Sequence, residues 1–310
     1  MWDQLFNIYA GFFGSDVLVA PEYLLFSLAT AWVIYLLGKD RPGFWRWLAP
    51  REIWTHKSHR VDLQLFVLGR LMTLTGMIGR VTLTTVIALW VGRLIASETP
   101  PAMVLPGVAV TLLLFLSYDF AAYWVHRAFH RIGLIWPLHA VHHSAEVMTP
   151  FTYYRQHPGA LIVSALAVSV FAGGIQGLVL GTLTLESTVI GVAGINAFAL
   201  VANLAMANFH HSHIRVTYWP WLERLLISPA QHQVHHSRNP AHFDRNFGQT
   251  LAVWDLMFGT LYIAAHENPD DSILIGLDGV EERALSTHRL GIMLWDPLVR
   301  VWRQLVPGKS

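Results

Sequence analysis

The sequence contains no cysteine and little charge. Without thiols there are no disulfides, iron–sulfur clusters or thiolate zinc sites, so any metal must be held by nitrogen or oxygen, while the redox compartment stays open. Asp, Glu, Lys and Arg make up 13% of the 310 residues, against about 25% in an ordinary soluble domain. The formal net charge of +1 offers no electrostatic footprint for nucleic acid. The opening stretch MWDQLFNIYAGFFGSD has no Lys or Arg. It therefore lacks the basic start of a cleaved signal peptide, and the first apolar segment is expected to be retained. The chain also lacks a G-x-G-x-x-G fingerprint, a haem signature and the H-E-x-x-H of zinc hydrolases.

What is present is apolar sequence and histidine. Hydrophobic residues reach 54%, with 13 tryptophans and a mean hydropathy of +0.42. A hydrocarbon core of about 30 Å needs about 20 helical residues. By that measure spans are expected at 18–38, in the latter half of 63–97 (81–97), at 102–125, and as a helical hairpin over 156–185 and 187–214 with Glu186 at its turn. Arg70 and Arg80 interrupt the region 63–79, which reads as an interfacial or re-entrant helix.

The loop 39–60 carries Lys39, Arg41, Arg46, Arg51, Lys57 and Arg60 against Asp40 and Glu52, whereas residues 1–22 carry Asp3, Asp16 and Glu22 and no base. The positive-inside rule then puts the N-terminus outside and this loop in the cytosol. A single crossing between 61 and 98 leaves Glu98-Thr99-Pro100-Pro101 outside and returns the chain to the cytosol before His126. The hairpin delivers His210 to the same side. Beyond about 215 a cytosolic helical cap is expected, with LWDPLVRVWRQLV as an amphipathic interfacial helix. The regions are 1–101 (N-terminal membrane region), 102–265 (three spans and the histidine motifs) and 266–310 (C-terminal tail).

Eight of the 17 histidines fall in three clusters: His126 and His130; His139, His142 and His143; His232, His235 and His236. On a helix His126 and His130 share a face. Relative to His139, His142 and His143 lie about 60° to one side and about 40° to the other, so each triple projects within one arc. Eight imidazoles exceed what one tetrahedral ion uses and suit two metals; imidazole by itself accepts iron, zinc, copper or nickel. Asp119 lies seven residues before His126 on the same helix face. It is either a carboxylate that orients a ligand's second ring nitrogen or a helix-packing group. Asn246 and Asp255 are open between site and structural roles, and His56, His59, His242, His266 and His288 are assigned to loops or interfaces.

Five stretches, D-F-A-A-Y-W-V-H-R-A-F-H (119–130), L-H-A-V-H-H-S (138–144), R-Q-H-P (155–158), F-H-H-S-H-I-R (209–215) and P-A-Q-H-Q-V-H-H-S (229–237), resemble the fatty acid hydroxylase/sterol desaturase superfamily, as do N-F-G (246–248) and W-D-L-M-F-G-T (254–260). The resemblance covers roughly 110–262. It implies an all-α fold: a polytopic membrane helical bundle whose cytosolic helical cap holds a histidine-ligated dimetal site. It further implies two iron ions, with the eight cluster histidines as ligands joined by His157 and, among His210, His211 and His213, by His211. Asp119 and Asn246 would stand behind them. The implied reaction is O₂-dependent hydroxylation of a C–H bond in a membrane lipid such as a sterol or fatty acyl chain, with desaturation as the alternative. Electrons would come from an external reductase, ferredoxin or cytochrome-type carrier on the cytosolic face. The implied location is a bacterial inner membrane, or the endoplasmic reticulum of a eukaryote. A histidine-lined metal transporter is the rival from another class; its ligands belong near the bilayer midplane, whereas these clusters follow the ends of the spans.

Overall fold

The computed structural model describes residues 9–14, 17–38, 42–95, 105–183, 191–192, 195–264, 273–279 and 282–306. Asp3, Asp16, Lys39, Asp40, Arg41, the Glu98–Pro101 loop, the Glu186 turn and His266 lie outside the described residues. The described chain is mostly helical. Its longer helices are α1 (Pro21–Leu37), α2 (Lys57–Leu74), α3 (Arg80–Ile95), α4 (Gly107–Arg131), α5 (Trp136–His143) and α6 (Pro158–Leu183). A two-residue antiparallel pairing, Gly191–Val192 with Ile195–Asn196, leads into α7 (Ala197–Ala202), which continues through a π-helical turn to His210. Then follow α8 (Pro229–His235), α9 (Val253–Met257) and α10 (Leu290–Leu305).

The bundle is built on α3, α4 and α6. Gly173, Gly177 and Gly181 recur every four residues on α6, and a Cβ on them would meet the carbonyls of Thr84 at 2.8 Å, Ala88 at 2.7 Å and Gly92 at 2.8 Å. Glycine thus lets two backbones touch, as small residues do in membrane helix pairs, and Thr84 Oγ1 adds a 3.1 Å hydrogen bond to Ser169 Oγ. These contacts run in the same order along both helices, so α3 and α6 are parallel. α4 runs the other way: Phe129 packs near Ala160, Ala121 on Val168 and Ala172, and Gln176 Nε2 donates to the Leu114 carbonyl at 3.3 Å. One chain direction therefore ends at His130 while its neighbours begin beside it.

Among the described residues two helices, α4 and residues 158–182 of α6, are long and apolar enough to cross a membrane, whereas α1 and residues 83–95 are shorter apolar helices. In the second arm, expected at 187–214, the helical part among the described residues is 197–210, about 21 Å of rise. Met206 and Phe209 in this arm pack with Ala31 and Ile34 of α1.

Below α4 lies a cap built from both ends of the chain. Val61 and Leu65 of α2, Ala140 and Val141 of α5, and Met293 of α10 share one core with Leu285. α2, expected at an interface, thus buries one face in this cap. At its centre Arg155 and Asp62 are fully buried and paired at 2.8 Å. Arg155 also donates to the Val141 carbonyl at 2.8 Å, the Ser58 carbonyl at 3.1 Å and Ser144 Oγ at 2.9 Å. A guanidinium has five fixed donors, and here they tie the C-terminal end of α5 to α2. α10 is the expected amphipathic helix: Met293 and Pro297 face in, Trp295 and Trp302 face out.

Candidate metal centre

The spacing of the histidines becomes geometry through four elements. α4 supplies His126 and His130 in its last two turns. α5 begins at Trp136-Pro137, and α8 follows a capping box in which Ser228 Oγ accepts from the Gln231 amide at 3.1 Å and Gln231 Oε1 accepts from the Ser228 amide at 2.9 Å. This reciprocal pairing satisfies two otherwise orphaned donors and fixes where the helix starts, hence where His232 and His235 point. His211 follows the last helical turn, at His210.

The nine side chains form two groups in which the donor nitrogens lie within 4.8 Å of one another: His126, His130, His139, His143 and His235; and His142, His211, His232 and His236. Each H-x-x-H-H motif is divided between them. His139 and His143, four apart, serve the first group and His142 serves the second; His232 and His236 serve the second and His235 the first. Residues four apart differ by about 40° and the intervening one swings about 60° the other way, so one turn of helix faces two centres. The arc inferred from the sequence is thus split. The stacked rings of His143 and His236, 4.4 Å apart, join the halves.

In the second group the Nε2 atoms converge: His142 to His211 at 3.2 Å, His211 to His232 at 2.9 Å and His232 to His236 at 3.2 Å. For an imidazole–metal bond of about 2.1 Å, ligands at right angles lie about 3.0 Å apart and tetrahedral ones about 3.4 Å, so these separations match those between ligands of one ion. In the first group His139 and His143 Nε2 are 3.2 Å apart, and the buried Nε2 atoms of His130 and His235 have no hydrogen-bond partner. Burial pushes His142 down to about 3 and holds His139, His143, His211, His232, His235 and His236 well below the usual imidazole range, with neighbouring imidazoles adding to it. All are neutral near pH 7, the form that offers a lone pair to a metal. The donor set therefore fits two cations that take nitrogen ligands.

For His126 and His235 the orienting groups are backbone carbonyls. His126 Nδ1 donates to the Phe247 carbonyl and His235 Nδ1 to the Arg245 carbonyl, both at 2.8 Å, which turns each Nε2 inward. That loop is itself held: Asp255 accepts from the Phe247 and Gly248 amides at 2.8 Å and from Thr260 Oγ1 at 2.6 Å. Asn246, at φ +55°, donates to the Gln231 carbonyl at 3.1 Å and accepts from the Tyr262 amide at 2.7 Å. A Cβ on Gly248 would strike the Leu251 carbonyl at 2.5 Å. N-F-G and Asp255 thus act by shaping a turn. A carbonyl has no side-chain signal in sequence; the only trace was the motif itself.

Some expected site residues stand elsewhere. His157 is outside both groups: its Nδ1 accepts from the Gly159 amide at 2.9 Å and its Nε2 donates to the Leu294 carbonyl at 3.0 Å, so it caps α6 and ties it to α10. Asp119 bonds to no histidine; it accepts from the Thr250 and Leu251 amides at 3.2 Å and from Trp254 Nε1 at 2.9 Å, the helix-packing alternative. Of the three neighbours, His210 contacts the Ile227 carbonyl and His213 the Trp47 carbonyl, leaving His211 in the cluster. His59 contacts Thr149, His242 packs on Tyr262, and His288 meets Arg155 and Glu146.

The sequence profile of the fatty acid hydroxylase family matches residues 111–260, which contain all nine clustered histidines. Residues 111–260 belong to the fatty acid hydroxylase family. The chain is 33% identical over 165 residues to the alkylglycerol monooxygenase of Danio rerio, covering 53% of the chain and 32% of that relative. It is 31% identical over 163 residues to the alkylglycerol monooxygenase of Homo sapiens, with coverages of 53% and 32%. A very-long-chain aldehyde decarbonylase of Oryza sativa subsp. indica is 29% identical over 201 residues, 60% of the chain and 29% of the relative. The matched part thus spans about a third of the length of these curated relatives. No solved structure matches the chain.

Proposed function

We propose that the chain is an O₂-dependent di-iron oxygenase that hydroxylates a C–H bond of a membrane lipid. The observation that carries this reading is the pair of buried imidazole groups, five and four strong, joined through His143 and His236. Iron bound there would supply O₂ activation and the oxidising strength to place oxygen on an unactivated carbon. The balance is R–H, O₂, two electrons and two protons giving R–OH and water, with the electrons from a separate reductase, ferredoxin or cytochrome-type carrier. The chain's own residues hold the donors: Phe247 and Arg245 aim His126 and His235 through their carbonyls, and burial of seven of the nine imidazoles keeps bulk water away. The names of the alkylglycerol monooxygenase relatives make an alkylglycerol ether lipid the first substrate to try.

The reading includes a polytopic bundle with its histidine cap in the cytosol, and regions 1–101, 102–265 and 266–310 contributing membrane, catalytic and tail segments. Because the chain has no cysteine, single cysteines can test sidedness. Gln249→Cys should react with an impermeant maleimide from the cytosolic face and Arg93→Cys from the opposite face; the reverse pattern sinks the orientation. For the chemistry, metal analysis is paired with oxygen uptake and product mass. Two irons per chain and lipid-stimulated uptake, with the product gaining one oxygen atom, are expected. Loss of two hydrogens would assign a desaturase, and one zinc without oxygen uptake would end the oxygenase reading.

A further inference from the structure

A second polar feature lies on the outer wall of the cap. Arg127, Arg131 and Arg245 line a cavity of about 280 Å³ with Phe243, Asp244, Phe258, Gly259 and Thr260. Three guanidiniums face one carboxylate there: Arg131 Nη1 pairs with Asp244 at 2.6 Å, while Arg127 donates to Tyr123 OH at 3.0 Å and sits 5.2 Å over the Trp124 ring. Asp255 lies behind the wall with its carboxylate already bonded to the Phe247 and Gly248 amides and Thr260. Each guanidinium has donors to spare, and the fork geometry suits a tetrahedral oxyanion.

The surroundings identify the source of that anion. Phe120, Tyr123, Trp124, Trp254 and Phe258 form a continuous aromatic cluster beside the cavity, and Phe243, Leu256 and Met257 are exposed at its edge. Arg127 and Arg131 occupy the last turns of α4, one of the two helices long enough to cross a membrane. An aromatic belt with basic residues at a helix end is the composition of a membrane–water boundary, and basic pockets at that depth bind lipid head groups.

We propose that this cavity binds the phosphate of an anionic membrane phospholipid. The site is separate from the histidine groups and does not depend on the oxygenase reading. It does adjoin them: Arg127 follows His126, and the Arg245 carbonyl orients His235. A bound head group would hold the outer wall of the metal cap against the bilayer.

The test uses the full chain in nanodiscs of phosphatidylcholine alone or mixed with phosphatidylglycerol, and native mass spectrometry counts the phosphatidylglycerol retained. Arg131→Gln/Arg245→Gln should lower retention about thirtyfold, the attraction expected of two basic residues at a lipid surface. Arg131→Lys/Arg245→Lys should keep most of it, and Arg93→Gln, near the other end of the bundle, should leave it unchanged. Asp244→Asn, which removes the opposing charge at a φ of +58° that Asn tolerates, should raise it. Retention unaffected by the double glutamine variant, or lost equally in Arg93→Gln, overturns the proposal. Inorganic phosphate that displaces the lipid at equal concentration would reassign the cavity to a free anion and overturn the lipid assignment.

Discussion

Where α3 meets α6, backbones touch because Gly173, Gly177 and Gly181 leave nothing between them; where α5 meets α8, the contact is imidazole on imidazole around donor atoms aimed at the same points. The first interface is cohesive through close packing, which costs little to form in a medium as apolar as the side chains themselves. The second buries groups that are expensive unless each finds a partner. The cap is therefore surrounded by buried polar supports: the Arg155–Asp62 pair, the Asp255 turn and the Asn246 bridge. One half is sensitive to added volume, the other to a lost partner.

The largest effect should come from the cap. Arg155→Ala strands Asp62 in a fully buried position and releases the Val141 carbonyl, a loss of about 3–5 kcal/mol by analogy with other broken buried pairs. Chemical denaturation should show it, together with loss of bound metal. Replacing both partners, Arg155→Met with Asp62→Leu, should recover part of the stability; a double variant no better than the single would mean the arginine's carbonyl contacts matter more than the ion pair.

A smaller effect is expected in the bundle. Gly177→Val drives a side chain into the Ala88 carbonyl and Val91, an overpacking cost of about 1–3 kcal/mol. Folded protein should still bind metal at the wild-type ratio. Loss of metal without loss of helix packing would erase the distinction between the two halves.

Within the cap, His157 and His211 separate structural from donor histidines. His157→Ala removes a helix cap, about 1 kcal/mol, and should leave metal content intact, whereas His211→Ala should deplete metal with little change in helix content. Equal metal loss in both would return His157 to the donor set.

The mildest expectation concerns acid. Burial and the nearby Arg155 push His288 down to about 4, so it is neutral in the folded protein while the unfolded chain takes up its proton near pH 6.5. Its contribution is complete above about pH 6.5 and is lost as pH falls through about 4. His288→Asn, at a φ of +51°, should flatten the fall in melting temperature between those limits, and an unchanged slope would mean the ring is already charged in the fold.

Much of the site could be read along the chain because the relevant neighbours were local. His126/His130, His139/His143 and His232/His236 are each four residues apart, and a helix turns that spacing into a shared face. One miss was local: His142 and His235 turn away from the triples they were read with. The rest was long-range, since His157 bonds to a carbonyl 137 residues away and the choice left open at Asp119 falls to the turn at 250–254. The glycine stripe on α6 was not among the sequence readings, because its meaning depends on α3 lying against it.

By itself the sequence determined that this chain is apolar, thiol-free, helical and equipped with imidazole donors at helical spacing, since composition and periodicity are local properties. Tertiary structure decided how nine donors divide into five and four, which carbonyls aim His126 and His235, and which charges pair in the cap. Those outcomes depend on the angles at which α4, α5 and α8 meet, and packing between distant segments sets such angles.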